Sequence, residues 1–175
     1  MRKHNGMRPQ DIAILIKILS YRGKDWNLVG MSNDIKISIS EISESLQRSY
    51  YANLVDKSKR IVFRQNFWEF VQHGIRYVFP QQPGGLVRGI PTAHSHPMMK
   101  QKFISDINYV WPDINGWEMG LKVEPFYPKQ VEAVKSDLEY YKLLALIDVI
   151  RIGKVREIKY ASDQLKQAIL YEPSN

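Results

Sequence analysis

Short polar side chains are concentrated in residues 34–51, DIKISISEISESLQRSYY, where five serines are interspersed with apolar residues. On a helix this spacing places Ile39, Ile42 and Leu46 on one face. The opposite face carries Ser40, Ser43, Glu44 and Gln47. Hydroxyl and amide groups on such short or flat side chains can donate and accept hydrogen bonds while another molecule approaches closely. Two interpretations are open: an ordinary amphipathic helix, or a helix that lies in a DNA groove.

His94-Ser95-His96 is a second group of residues whose types suggest chemistry. Two histidines are too few for a zinc site, and His73 or a distant carboxylate would have to supply a third ligand. A Ser95 nucleophile lacks the Gly-x-Ser-x-Gly elbow, and PGGLVRG lacks the Lys-Ser/Thr of a phosphate-binding loop. The sequence therefore favours a structural loop with hydrogen-bonded imidazoles. It predicts no catalytic residue, no metal site and no cofactor, which leaves a metal-dependent enzyme as the weakest hypothesis.

The positive charge of the chain is unevenly distributed. Net charge is +7, and residues 1–64 hold 12 Lys/Arg against 6 Asp/Glu, a balance of +6. Residues 65–175 hold 13 against 12, a balance of +1. A localised positive field is typical of a protein that binds a polyanion, above all a nucleic acid. A solvated basic surface without a partner remains the alternative.

The composition predicts a soluble cytoplasmic protein that does not act at a membrane. The chain contains no cysteine, which excludes disulfides and thiolate metal sites. Its N-terminus has no apolar signal core, and the longest apolar run, IAILIKIL, is too short to span a bilayer and contains Lys17. With 175 residues, 44% of them hydrophobic, the chain can form an ordinary core.

The pattern along the first third predicts three helices and a hairpin. RPQDIAILIKILSY predicts the first helix, DWNLVGMSNDIKIS a short second one, and a third begins at the capping box formed by Ser38 and Glu41. In VDKSKRIVFRQ, residues 55–65, a charged turn is followed by residues that favour strands. This order predicts a hairpin with a basic tip.

The remaining residues predict a mixed region. NFWEFVQHG predicts a helix and IRYVFP a short buried strand, whereas residues 81–99 predict a long irregular loop. Asn115-Gly116 favours a hairpin turn, and two helices starting at Asp137 and near Lys154 close the chain. We therefore predict an α+β fold with a division at residue 80: a winged helix-turn-helix in residues 1–80 and an α+β region in residues 81–175.

The order of three helices, a basic hairpin and a further helix is that of a winged helix-turn-helix. The segment IKIS-ISEISESLQRS, in which a serine cap precedes a helix rich in Ser and Arg, resembles the MarR-like winged-helix regulators of bacteria. The resemblance extends over roughly residues 8–65. Residues 66–175 do not resemble the long dimerisation helices of MarR proteins. They look like a bacterial group of winged-helix regulators of unclear role, which implies no activity.

The resemblance implies two sets of DNA contacts. Base edges would be contacted by Ser40, Ser43, Glu44 and Gln47. Phosphates would be held by Lys36, Ser38, Arg48, Lys57, Lys59, Arg60 and Arg64. Phosphate contacts fix register and base contacts specify sequence. Glu44 departs from the expected pattern, because phosphate repels a carboxylate unless that carboxylate accepts from a cytosine amine or pairs with Arg48; we favour the pairing.

These observations predict a sequence-specific transcriptional regulator that binds double-stranded DNA as a homodimer on a palindromic operator. Candidates for the dimer interface are Leu143, Leu146, Ile147 and Ile150, although burial inside the protomer would produce the same pattern. The alternative is an antitoxin or phage-defence component. Such a protein would bind a partner protein and regulate its own transcription through the winged helix.

Overall fold

The computed structural model describes residues 6–171 of the chain. Its first elements are the helices α1 (Pro9–Ser20), α2 (Leu28–Ile35) and α3 (Ile39–Tyr51). Pro9 occupies the first turn of α1, where its missing amide costs no hydrogen bond. At the start of α3 the Ser38 hydroxyl accepts a hydrogen bond from the Glu41 amide. The three predicted helices and the capping box are confirmed.

A short hairpin follows α3. A single bridge pairs Val55 with Val62 in antiparallel orientation, and the Asp56 amide donates to the Ile61 carbonyl. The Phe63 amide closes the base of the hairpin by donating to the Leu54 carbonyl at 2.8 Å. The tip carries the sequence Lys-Ser-Lys-Arg at 57–60. The predicted hairpin with a basic tip is therefore confirmed, although it is a minimal one.

Residues 64–78 form one continuous helical segment: α4 (Arg64–Glu69), a π-helical turn (Phe70–Gly74) and α5 (Ile75–Val78). The strand predicted for IRYVFP is wrong. Its β-branched and aromatic residues favour strands locally, but Ile75 is fully buried where α5 packs against α8 (Leu138–Ile152). Tertiary packing overrides the local strand preference here.

Three strands form a small sheet: β1 (Leu86–Pro91), β2 (Tyr109–Pro112) and β3 (Glu118–Lys122). β1 is antiparallel to both other strands, and β2 and β3 pair in parallel. The hairpin predicted at Asn115-Gly116 is therefore wrong, because the strands on either side of it do not pair antiparallel. A Cβ on Gly89 would lie 2.0 Å from the Trp111 carbonyl oxygen, so glycine allows this close approach of two strands.

The segment predicted as an irregular loop, residues 81–99, is only partly irregular. It contains β1, a 3₁₀ turn (Ala93–Ser95) and the start of α6 (Pro97–Lys100). The chain ends with α7 (Gln130–Val134), α8 and α9 (Val155–Leu170). The Asp137 side chain caps α8 by accepting from the Tyr140 amide at 2.9 Å. The two predicted C-terminal helices are confirmed.

One hydrophobic core runs through the described residues and is not interrupted at residue 80. Residues 12–19 of α1 are each at most 8% exposed, because α1 packs against α3 and α8. α4 likewise packs against α9. The residues proposed for a dimer interface, Leu143, Leu146, Ile147 and Ile150, are at most 2% exposed. That location for the interface is wrong, because these side chains fill the core of the protomer.

The architecture is α+β: helices surround one core, and a three-stranded sheet lies between α5 and α7 in the sequence. Within residues 6–171, none of the helices has the length and apolar character needed to cross a membrane.

Candidate nucleic-acid interface

α3 has one buried and one exposed face. Ile42, Ser45 and Ser49 are fully buried against the core. The predicted base-facing residues lie on the other side: Ser40, Ser43 and Glu44 are exposed and Gln47 is half-buried. The sequence predicts Ile39 on the buried face, but its side chain is 43% exposed. The 3.6-residue repeat places it at the edge of the buried stripe, which explains the difference.

The connection from α2 to α3 is a tight turn. Asn27 caps α2 by accepting from the Gly30 amide at 2.8 Å. Lys36 ends α2 in a left-handed conformation with φ of 60°, and Ile37 is buried beneath the turn. Lys36 and Ser38 are both exposed beside the first turn of α3. Two of the predicted phosphate-binding residues therefore flank the N-terminus of the helix.

Arg48 does not reach the surface that its predicted role requires. Its Nε donates to Asp11 Oδ2 at 2.9 Å and its Nη2 to Oδ1 at 2.6 Å. Asp11 is fully buried. The hydrogen bonding of the Arg48 guanidinium to this carboxylate is the main reason why the pKa of Arg48 is raised. The predicted phosphate contact at Arg48 is therefore wrong. Arg48 pairs with Asp11 and not, as the sequence suggested, with Glu44, because the buried carboxylate of Asp11 needs a cationic partner.

The hairpin tip is organised by a single carboxylate. Asp56 accepts hydrogen bonds from the Ser58 hydroxyl at 2.5 Å and from the Arg60 and Ile61 amides at 3.0 and 2.9 Å. These bonds, the one from Ser58 above all, lower the pKa of Asp56 to about 2. Lys57 at the tip is exposed and Lys59 is half-buried. The hydrogen bonds to Asp56 thus fix the conformation of the loop that carries Lys57 and Lys59.

The two predicted arginine contacts of the hairpin differ in their surroundings. Arg60 is exposed, and its guanidinium lies 4.6 Å from the centre of the Trp26 ring while Nη1 donates to the Trp26 carbonyl at 2.6 Å. Arg64 is half-buried and donates to the Ile169 carbonyl of α9 at 2.9 Å. Arg60 therefore orients the hairpin while remaining accessible, and Arg64 joins the base of the hairpin to the C-terminal helix.

α3 and the hairpin tip border one groove of about 310 Å³. Its lining residues are Trp26, Leu28, Ser43, Leu46, Ser58, Lys59 and Arg60. The fold thus brings together Ser43, predicted to face bases, with Lys59 and Arg60, predicted to hold phosphates. Sequence reasoning missed Trp26, which positions Arg60 from 34 residues away, and no local pattern indicates such a contact.

The two histidines are not among the residues that line this groove, and each makes a hydrogen bond with the backbone. His94 Nε2 is 2.7 Å from the Ile107 carbonyl oxygen, and His96 Nδ1 accepts from the Met98 amide at 3.2 Å. The prediction of hydrogen-bonded imidazoles is confirmed. Burial lowers the pKa of His96 to about 4, and the positive charge of Lys142 contributes. In the part of the chain that the structure describes, no three His, Cys, Asp or Glu side chains are grouped to hold a metal ion.

Comparison with protein-family models, curated proteins and solved structures found no match. The resemblance of residues 8–65 to MarR-like regulators therefore stays a prediction.

Proposed function

We propose that this protein binds double-stranded DNA in a sequence-specific manner and regulates transcription as a homodimer. In this proposal α3 and its flanking elements form a winged helix-turn-helix. α3 enters the major groove, and the hairpin tip contacts the sugar-phosphate backbone. The supporting observation is the groove between them, which Ser43 of α3 lines together with Lys59 and Arg60 of the hairpin.

The exposed face of α3 has the chemistry needed to discriminate bases. Ser40, Ser43 and Gln47 offer hydroxyl and amide groups, which can donate to or accept from base edges in the major groove. Glu44 is exposed, and the guanidinium of Arg48 is engaged with Asp11. A cytosine amine is therefore the donor that Glu44 would meet in a groove. Phosphate contacts come from Lys36, Ser38, Lys57, Lys59 and Arg60. Arg64, which the sequence also predicts to hold a phosphate, is left out of this set because it is half-buried and donates to the Ile169 carbonyl.

A homodimer is proposed because one protomer would contact only a small stretch of DNA. One helix of the length of α3 contacts only a few base pairs, and two-fold pairing of two protomers multiplies the specificity. The bound site would then be palindromic. Because the apolar face of α8 is buried within the protomer, the dimer interface has to lie on another surface. Sedimentation at micromolar concentration should show a dimer, and a monomer under these conditions would contradict this part of the proposal.

The decisive experiment is selection of bound sequences from random duplex DNA at near-physiological salt, followed by affinity measurements over a range of salt concentrations. Lys57→Ala combined with Lys59→Ala should weaken binding to all sequences about equally. The slope of log K against log salt should fall by nearly 2, at about 0.9 for each phosphate that the variant no longer neutralises. A matched control changes two exposed lysines of α9, Lys159 and Lys166, to Ala.

The control variant removes the same amount of charge but should keep the wild-type slope, because α9 lies outside the proposed interface. Failure to enrich any sequence would contradict sequence-specific binding. Equal slopes for wild type and the Lys57/Lys59 variant would remove the hairpin from the interface.

A further inference from the structure

Ile39 is an apolar side chain in an otherwise polar exposed setting. It is the first residue of α3 and is 43% exposed. Its neighbours Ser38 and Ser40 are exposed as well. The exposed large hydrophobic side chains of α3 are Ile39 in its first turn and Tyr50 and Tyr51 at its C-terminal end. The first turn of α3 therefore combines hydroxyl groups with one aliphatic group.

The helical repeat also places Ile39 on the side of α3 that borders the groove. Ile39 and Ser43 are four residues apart, so their side chains are neighbours on one face. Ser43 and Leu46 line the groove that α3 shares with the hairpin tip. Ile39 thus extends the same stripe to the N-terminal end of the helix, the end whose residues meet base edges when such a helix enters the major groove.

An aliphatic side chain has one apolar counterpart at base edges in the major groove, the 5-methyl group of thymine. We propose that Ile39 contacts a thymine methyl group and thereby specifies a T·A pair in each half-site. This inference rests on the proposed function and adds a residue that determines its specificity.

Replacing thymine by uracil removes the methyl group and keeps every hydrogen-bonding group of the base. In the duplex enriched by selection, each thymine is replaced by uracil in turn, and affinity is measured for the full-length protein. At one position per half-site, removal of the methyl group should weaken binding about fourfold, the factor expected when one buried methyl group is taken away. Uracil at the other positions should have little effect.

Two variants assign the effect to Ile39. Ile39→Ala should bind the thymine and uracil duplexes equally, because the side chain that contacts the methyl group is gone. Val29→Ala is the matched control: Val29 lies on α2 and is 59% exposed, so this variant should keep the wild-type sensitivity to uracil. Since the uracil comparison uses the wild-type chain, it remains informative even if a variant is unstable.

The outcomes separate this inference from the proposed function. If selection enriches no sequence, the proposed function fails, and the inference fails with it. If a sequence is enriched but no thymine is sensitive to uracil, or Ile39→Ala keeps the sensitivity, DNA binding stands and the role of Ile39 is overturned. A duplex with 5-methylcytosine at the sensitive position that binds more tightly than the thymine duplex would overturn the assignment to thymine.

Discussion

At the scale of single residues, the carboxylate of Asp11 accepts hydrogen bonds both at the start of α1 and from α3. Its Oδ2 accepts from the Arg8 amide at 2.8 Å, which caps α1, and from Arg48 Nε at 2.9 Å, which holds α3. Both side chains are nearly inaccessible to water. Removing one member of such a pair leaves an uncompensated buried charge, whereas removing both does not. This ion pair thus links α3 to α1 in addition to the packing of their apolar side chains.

Asp11→Asn should lower the free energy of unfolding by about 3–5 kcal/mol, because it leaves the Arg48 charge buried without its counterion. Urea unfolding at neutral pH measures the decrease. The double variant Asp11→Leu with Arg48→Met should recover most of it, since it leaves no buried charge. If the double variant is as unstable as the single one, the decrease comes from packing or capping and not from the charge.

The lowered pKa of the buried His96 side chain predicts that the free energy of unfolding depends on pH. Burial lowers its pKa to about 4 in the folded protein, against the ordinary value of 6.5. As pH falls below 6.5 the unfolded chain takes up the proton first, so the folded state loses stability down to about pH 4. Between pH 7 and pH 5 the decrease due to this residue should be about 2 kcal/mol, at 1.36 kcal/mol per pKa unit.

Urea unfolding of wild type and His96→Asn at both pH values isolates this contribution. Asparagine can still accept the Met98 amide hydrogen bond but carries no titrating group. The variant should lose about 2 kcal/mol less than wild type between pH 7 and pH 5. An identical pH dependence in both proteins would show that His96 does not titrate differently on folding.

At the scale of elements, the two parts of the proposed interface, α3 and the hairpin tip, are each determined locally, whereas their placement relative to each other is not. The capping box that starts α3 joins Ser38 to Glu41, and the hairpin tip is built by Asp56 within residues 56–61. Each part uses residues at most five apart. Their mutual placement depends on contacts of long sequence separation, such as that of Arg60 with Trp26. The groove between α3 and the hairpin is therefore a tertiary feature.

Ser43→Glu tests whether that groove receives DNA. The change adds bulk and a negative charge at an exposed position of α3, so it should leave the far-ultraviolet circular dichroism spectrum intact. Affinity for the selected duplex should fall at least tenfold, because phosphate repels the added carboxylate and the variant lacks the Ser43 hydroxyl, whose base contact would be worth about 1–3 kcal/mol. Gln164→Glu on α9 adds the same charge outside the groove and should bind like wild type. Wild-type affinity in the Ser43 variant would exclude α3 as the contacting helix.

At the scale of the whole molecule, the N-terminal helices are part of a larger core. Lys17 of α1 is 5% exposed, and its Nζ lies 2.7 Å from Asp137, which caps α8, and 3.3 Å from Asp34 of α2. α1 has α3 on one side and α8 on another, which is why residues 12–19 are buried. The C-terminal helices therefore support the elements that form the proposed interface.

A fragment of residues 1–80 should consequently fail to fold on its own, although the sequence suggests an independent unit with that boundary. Without α8 and α9 the buried residues of α1 and α4 would be exposed to water, at a cost of roughly 1.5–3 kcal/mol for each large apolar side chain. Thermal denaturation followed by circular dichroism should show no cooperative transition for the fragment and one for the full chain. A cooperative transition of the fragment would establish residues 1–80 as a separate domain.

The sequence by itself determined the helices α1, α2, α3, α8 and α9 and the basic hairpin. Apolar periodicity, Pro9, the Ser38 capping box and the Asp137 cap act between residues a few positions apart, so they can be recognised in one dimension. The small polar face of α3 follows from the same periodicity.

Only the tertiary structure decided where the Arg48 side chain lies and whether the segment IRYVFP forms a strand or a helix. Arg48 meets its partner Asp11 across 37 residues, and Ile75 becomes helical because α5 packs on α8. The sheet likewise depends on Gly89 approaching the backbone of Trp111. In these cases contact with a distant element decides the outcome, because desolvation and packing depend on neighbours in space.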